Sequence, residues 1–272
     1  MMRALYTAAT GMIAEQTNVD TIANNLSNVN TYGYKKERTE FKSLLYQTIQ
    51  TRTTSANGDQ KPVGAQVGLG TRVAATTSMY TQGSLTETDT KTDFALDGDG
   101  FFAVRALDGQ TYYTRNGAFT WSQAADGRTI LADASGNAVL DTAGNVIAVP
   151  NGVSSEKMDF QEDGSVGYYQ PDGTYVSLNQ KMAVYQFNNP AGLDKMAGSL
   201  LAQTGASGNA MLEGTTAGLK ASKVLAQHLE GSNVNVADEM VNMIVAQRAY
   251  ELNSKAITTA DSMLDTANNL KR

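Results

Sequence analysis

The sequence predicts an α+β protein: long N- and C-terminal α-helices paired as a coiled coil, with a central antiparallel β-rich domain between them. Three observations point there. Helix breakers are confined to the middle of the 272-residue chain, with all four prolines at positions 62 to 190 and 22 of the 25 glycines at 46 to 220. Large apolar residues recur every seven positions at both ends, as in helices that bury one stripe against a partner. Asn-Gly and Asp-Gly pairs punctuate the centre, where short β-prone runs alternate with turns. The expected organisation is a discontinuous helical domain from 1–45 and 221–272, an extended arm at 46–70, and a β-rich domain at 71–220.

The N-terminal helix starts near Leu5. Leu5, Met12, Val19 and Leu26 repeat by seven, and Ala8, Ile22 and Val29 fill the position three further on. The opposite face, Thr10, Thr17, Thr21, Asn24 and Asn28, is polar. The run Asn24-Asn25-Leu26-Ser27-Asn28-Val29-Asn30, followed by Gly33, should end the helix, since Asn and Gly favour turns and left-handed backbone.

The C-terminal helix is expected from Asn235 to about Leu270, a stretch without Gly or Pro. Asn235 suits the N-cap, Asp238 and Glu239 the positive first turn, and Lys271 and Arg272 the negative end. One apolar stripe, Val236, Met243, Tyr250, Ile257 and Leu264, is expected to pair with Leu5, Met12, Val19, Ile22 and Leu26. A second stripe on the opposite side comprises Val234, Val241, Val245, Leu252 and Met263. Ordinary core is the plainer reading of each stripe. The N-terminal helix has a single stripe to offer, however, so the second set is expected to form a subunit interface. Ala246, Ala249, Ala256, Ala260 and Ala267 permit close helix approach.

The arm at 46–70 is Thr- and Gly-rich with scattered apolar residues, and by composition has little reason to order alone. Beyond it, the pairs Asp97-Gly98, Asp99-Gly100, Asp108-Gly109, Asn116-Gly117, Asp126-Gly127, Asn151-Gly152, Asp163-Gly164 and Asp172-Gly173 suit positive-φ hairpin turns. Strands are expected at 101–104, 112–114, 118–121, 146–149, 175–178 and 182–187. Ser135-Gly136-Asn137 and Ala143-Gly144-Asn145 read as successive hairpin ends.

Composition excludes several functions. Residues 46 to 220 hold 11 basic against 17 acidic residues, while both ends are nearly neutral, so no nucleic-acid footprint is present. Without cysteine there is neither a disulfide framework nor a thiolate site. The start makes a poor secretory signal, and no apolar run approaches the ~18 residues of a membrane span. Asp97-Gly98-Asp99-Gly100 could suggest a calcium loop, but Phe101 stands where a further oxygen ligand is wanted, and a tight turn is the preferred reading. His228, the single histidine, reads as structural. Asp159 and Glu162 could be paired carboxylates, but they sit beside turns with no pocket motif. The expectation is a protein that is not an enzyme and has no catalytic, metal or cofactor residues.

Ala4-Leu5-Tyr6-Thr7-Ala8-Ala9-Thr10-Gly11-Met12 and the run Ile22 to Lys36 resemble the N-terminal signature of bacterial flagellar rod and hook proteins. Ser232 to Ile244 and Gln247 to Lys255 resemble their C-terminal signature, and Gln82 to Leu85, Asp97 to Phe102 and Tyr113 to Phe119 their β domain. The length, the arm and Gly68-Leu69-Gly70-Thr71-Arg72 look most like the family's distal rod branch. Ser27, Tyr34 and the Asp97-Gly98-Asp99-Gly100 run depart from commoner family residues. The resemblance implies a self-assembling subunit of a hollow axial shaft in the basal body, transmitting torque and exported unfolded by the flagellar apparatus without a cleaved signal. It also implies that the paired helices lie innermost and that the arm packs between subunits. Implied partners are further copies, proximal rod and hook proteins, surrounding rings and the export apparatus, with no nucleic acid and no membrane embedding. Alternatives are another axial subunit, proximal rod or hook, or, in a different class, a soluble β-rich glycan-binding or hydrolytic protein.

Overall fold

The computed structural model describes residues 2–50, 64–124, 127–150, 153–161, 164–170, 172–215 and 218–270. A long helix stands at each end, α1 at Met2–Ser27 and α2 at Val236–Asn269, and antiparallel β structure fills the centre, so the fold is α+β. Two compact units emerge: one of Met1–Ser27, Glu37–Ser78 and Asn235–Arg272, the other of Asn28–Lys36 and Met79–Val234.

In the first unit α1 and α2 pack together. Asn25 Nδ2 donates to Glu239 Oε2 at 3.1 Å, and Gly11 lies so close to Asn253 that an added Cβ would sit 2.9 Å from its amide nitrogen. Gly11 and Asn25 are 25 − 11 = 14 residues apart and Glu239 and Asn253 are 253 − 239 = 14 apart, so the helices run antiparallel in a frame of two heptads. The Asn235 side chain caps α2 by accepting from Ala237 N–H at 3.0 Å. Lys271 and Arg272 lie outside the described residues.

The remainder of this unit is a two-stranded ribbon. Strands β1 (Glu37–Ser43) and β4 (Thr71–Ser78) pair antiparallel, and β2 (Tyr46–Gln50) pairs with β3 (Ala65–Gly68). Leu44 N–H to Gly70 O and Leu69 N–H to Leu45 O carry the ladder across the joint. This changes three expectations. Residues 37–43 of the expected helical domain are strand, β4 pairs with β1 in this unit, and the arm is ordered on both sides of 51–63, which lie outside the described residues. The reason is main-chain pairing: every residue of β2 is exposed, so the outer part of the ribbon rests on its ladder and not on burial. It also covers part of the polar face of α1. Thr39 Oγ1 donates to the Thr21 hydroxyl at 2.9 Å, both residues being buried, and Gly70 rests against Thr10.

The second unit is antiparallel β throughout. Its central strand, Phe101–Arg105, pairs with Thr111–Thr114 on one side and with Ala138–Val139 and Val184–Gln186 on the other. Successive strand residues face opposite ways, and both Phe101 and Phe102 are fully buried because each face has its own core. Phe102 joins Phe94, Phe119, Phe160, Leu131 and Ile147; Phe101 joins Tyr113, Phe187, Leu193 and Leu201. A meander of Met158–Phe160, Ser165–Tyr169 and Tyr175–Lys181 completes the first core. Residues 146–149 make only isolated bridges, although Ile147 and Val149 are buried as an apolar strand would be.

Six turns share one hydrogen-bond pattern. In each, the glycine N–H donates to the carbonyl three residues back, and that residue's N–H donates to the carbonyl just after the glycine; the glycines are 109, 127, 136, 144, 164 and 173. All six have φ between 78° and 85°. This is the three-residue hairpin loop with glycine at the left-handed position, a positive-φ turn of the kind the dipeptides suggested. At 133 and 141 the pattern is reinforced: Asp133 Oδ1 accepts from Ser135 and Asn137 N–H, and Asp141 Oδ1 from Ala143 and Asn145 N–H. Gly117 has a different role, since a Cβ there would fall 1.8 Å from the Phe94 carbonyl oxygen.

Tyr113 gives the second unit an alkaline limit. Its ring packs edge-on to Phe187 with centroids 4.8 Å apart, and burial pushes the phenol from 10.0 up to about 12. A raised phenol contributes stability that is intact below the unfolded value and lost as pH rises through the folded one. From pH 10 to 12, folding should therefore lose about 2–3 kcal/mol through this group. Alkaline denaturation followed by phenolate absorbance should show the loss in the native chain and a smaller one in Tyr113→Phe; identical curves would show that Tyr113 is not responsible.

Candidate assembly surfaces

Helix α2 has two unlike faces. Glu239, Ala246 and Ala260 are buried, and Met243, Asn253, Ile257 and Leu264 half-buried, at the heptad spacing expected of a face laid on α1. Ile22 of α1 is buried, and Leu5, Met12, Val19 and Leu26 are half-buried. Val236 and Tyr250, expected in the same seam, are each 41 % exposed. Tyr250 instead borders a groove of about 380 Å³ lined also by Gln16, Val19, Gln247 and Glu251.

The opposite face of α2 is apolar and open. Val241, Val245, Leu252 and Met263 are 56 to 66 % exposed, and Met240 and Ile244, which the stripe did not include, are exposed beside them. Val234 departs from its expected place: it lies ahead of the N-cap and is buried, so it is not available to a neighbour.

A second feature, within the β unit, escaped sequence reasoning. Lys35, Arg115 and Glu230 are all buried. Glu230 Oε1 accepts from Lys35 Nζ at 2.6 Å and from Gly83 N–H at 3.0 Å, while Arg115 Nη1 approaches Oε2 at 3.4 Å. Lys35 also donates to Thr81 O, and Arg115 Nη2 to Gly98 O, both at 2.8 Å, with the guanidinium over the Phe101 ring. Burial pulls Lys35 and Arg115 below their ordinary ranges, and Glu230 and Asp99 oppose the shift. The junction ties residues 33–36, 81–83 and 230 to the strands near 98 and 115. Lys35 and Arg115 both lie in runs that carry the family resemblance, but nothing in a linear reading brings them to Glu230.

Asp97 to Gly100 connect strands of two sheets, with Gly98 at φ 142° and Gly100 N–H donating to Ser222 Oγ. His228 Nδ1 lies 2.8 Å from Ala226 O, which ties the ring to the main chain beside it. Asp159 is on a strand of the meander, and Glu162 lies outside the described residues. Among the described residues no helix is long and apolar enough to cross a membrane.

Three stretches of the chain match known families. Residues 5–35 match the flagella basal body rod protein family, 95–168 the D1 domain of flagellar hook protein FlgE/F/G, and 225–270 the C-terminal region of flagellar basal body rod FlgEFG protein. The chain is 44 % identical over 278 residues to the flagellar basal-body rod protein FlgG of Borreliella burgdorferi, covering 100 % of both. It is 41 % identical over 273 residues to that of Agrobacterium fabrum, covering 99 % of this chain and 100 % of the relative. With the Bacillus subtilis protein it shares 35 % over 277 residues, again 100 % of both. Matched end to end at these identities, the chain belongs to the FlgG family of flagellar basal-body rod proteins.

Proposed function

We propose that this chain is the structural subunit of the flagellar distal rod, self-assembling into a hollow shaft that transmits torque and passes exported proteins. The observation that carries the reading is the open apolar face of α2 on a chain similar from end to end to rod proteins. A row of exposed Val, Ile, Leu and Met side chains costs solubility unless a partner covers it. In this reading α1 and α2 form a coiled coil innermost, with Leu5, Met12, Val19, Ile22 and Leu26 against Met243, Ile257 and Leu264. Val241, Val245, Leu252 and Met263 face a neighbouring copy.

The role is mechanical and involves no catalytic step. Adjoining proximal rod and hook proteins, surrounding rings and the export apparatus are the partners. The test is electron microscopy of the concentrated full-length chain. Straight tubes are the expected product; curved tubes would assign the chain to the hook type, and persistent small oligomers would overturn the reading.

A further inference from the structure

Helix α2 could in principle turn either apolar face to α1. Along its first half the covered face presents Glu239, Met243, Ala246 and Asn253, whereas the open face presents Met240, Val241, Ile244, Val245 and Leu252. Burial of apolar area alone favours the second arrangement. Something polar must reverse that preference.

The covered face begins at a buried hydrogen-bonded group joining three elements. Asn25 Oδ1 accepts from Glu37 N–H at 2.8 Å, and Asn25 Nδ2 donates to Glu37 O at 2.8 Å and to Glu239 Oε2 at 3.1 Å. The amide thus pairs with the first residue of β1 as a neighbouring strand would, and a single orientation satisfies both Glu37 groups. Its other N–H then points at α2. Asn25 and Glu239 are each 1 % exposed, and their bond ties the two helices at this point, so any pairing that separates them gives up a buried charge-assisted hydrogen bond between α1 and α2. Half a revolution of α2, or a slip along α1, does so.

We propose that Asn25 and Glu239 form a register key, which selects the face of α2 that α1 covers and so keeps the Val241, Val245 and Leu252 face free for a second copy of the chain. The choice of face stands on the single chain; its purpose rests on the assembly reading above. One buried polar group fixing the register of paired helices is an established device. A charge-assisted hydrogen bond suffices for a preference of about tenfold.

The absence of native cysteine makes the test direct. The pair Gly11→Cys with Asn253→Cys reports the observed face, and Gly11→Cys with Leu252→Cys reports the turned one. In dilute full-length chain, intramolecular oxidation should favour the first pair by about tenfold or more. In the keyless background, Asn25→Leu with Glu239→Leu, helical circular dichroism should persist while the two yields come within about twofold. Glu239→Gln alone, which keeps an acceptor oxygen but not its charge, should lower the ratio without abolishing it.

An unchanged ratio in the keyless chain would overturn the proposal, as would loss of the ratio in Glu239→Gln. Loss of helix in the keyless chain would overturn it too, because the pair would then supply stability and not choice. None of these readings depends on tube formation, so failure of the key is separable from failure of the assembly reading.

Discussion

Leu252→Asp should abolish tube formation while leaving the single chain folded. In the isolated chain Leu252 is 66 % exposed on α2, so a carboxylate there meets water, and stability should change by no more than about 0.5 kcal/mol. In the proposed seam the same carboxylate enters an apolar contact with no cation supplied to it, at a cost of about 3–5 kcal/mol at each contact. Each 1.4 kcal/mol is about tenfold in an equilibrium constant, so the concentration needed for assembly should rise at least about a hundredfold. Sedimentation of the variant against the native chain measures this, with Leu252→Met as a control that keeps volume and apolarity. Pelleting of Leu252→Asp at the native concentration would remove Leu252 from the subunit contact.

That contrast between chain and assembly marks what the sequence made legible. The two terminal helices, the Asn-rich stop after Leu26 and the Asn235 cap are local signals, and each appears in the structure. The covered face of α2 was only half visible. Met243, Ile257 and Leu264 show in an apolar count and Ala246 and Ala260 among the small residues that permit close approach, whereas Glu239 and Asn253 do not, because polar residues interrupt the stripe. The ribbon was invisible for a different reason. It rests largely on main-chain pairing between β1 and β4 and between β2 and β3, and the one buried side chain of β1, Thr39, is polar, so no apolar alternation marks it. The turn dipeptides located the hairpin ends, but the turn type emerged only with the hydrogen bonds around each glycine.

Glu230→Gln should cost the β unit about 3–5 kcal/mol, because it leaves Lys35 and Arg115 buried without their shared carboxylate. Against a total of about 5–15 kcal/mol for a domain, that is a large fraction. Trp121, the single tryptophan, stacks on Phe160 in this unit, so its fluorescence during denaturant unfolding reports the unit that contains the junction. The pH dependence identifies the cause. Burial already holds Lys35 below 10.5, and Glu230 is the principal group opposing it, so removing the carboxylate lowers the lysine further. A lysine lowered in the folded state binds fewer protons there than in the unfolded chain, and stability rises with pH until the unfolded value is reached. The variant should therefore recover part of its loss as pH climbs toward 10, below the range where Tyr113 begins to oppose folding. Adding Lys35→Met to Glu230→Gln should restore stability at neutral pH and flatten that rise. A variant that unfolds at the native denaturant midpoint would show that the junction does not hold the unit. A loss that Lys35→Met leaves in place would shift the cause to Arg115 or to the Gly83 hydrogen bond.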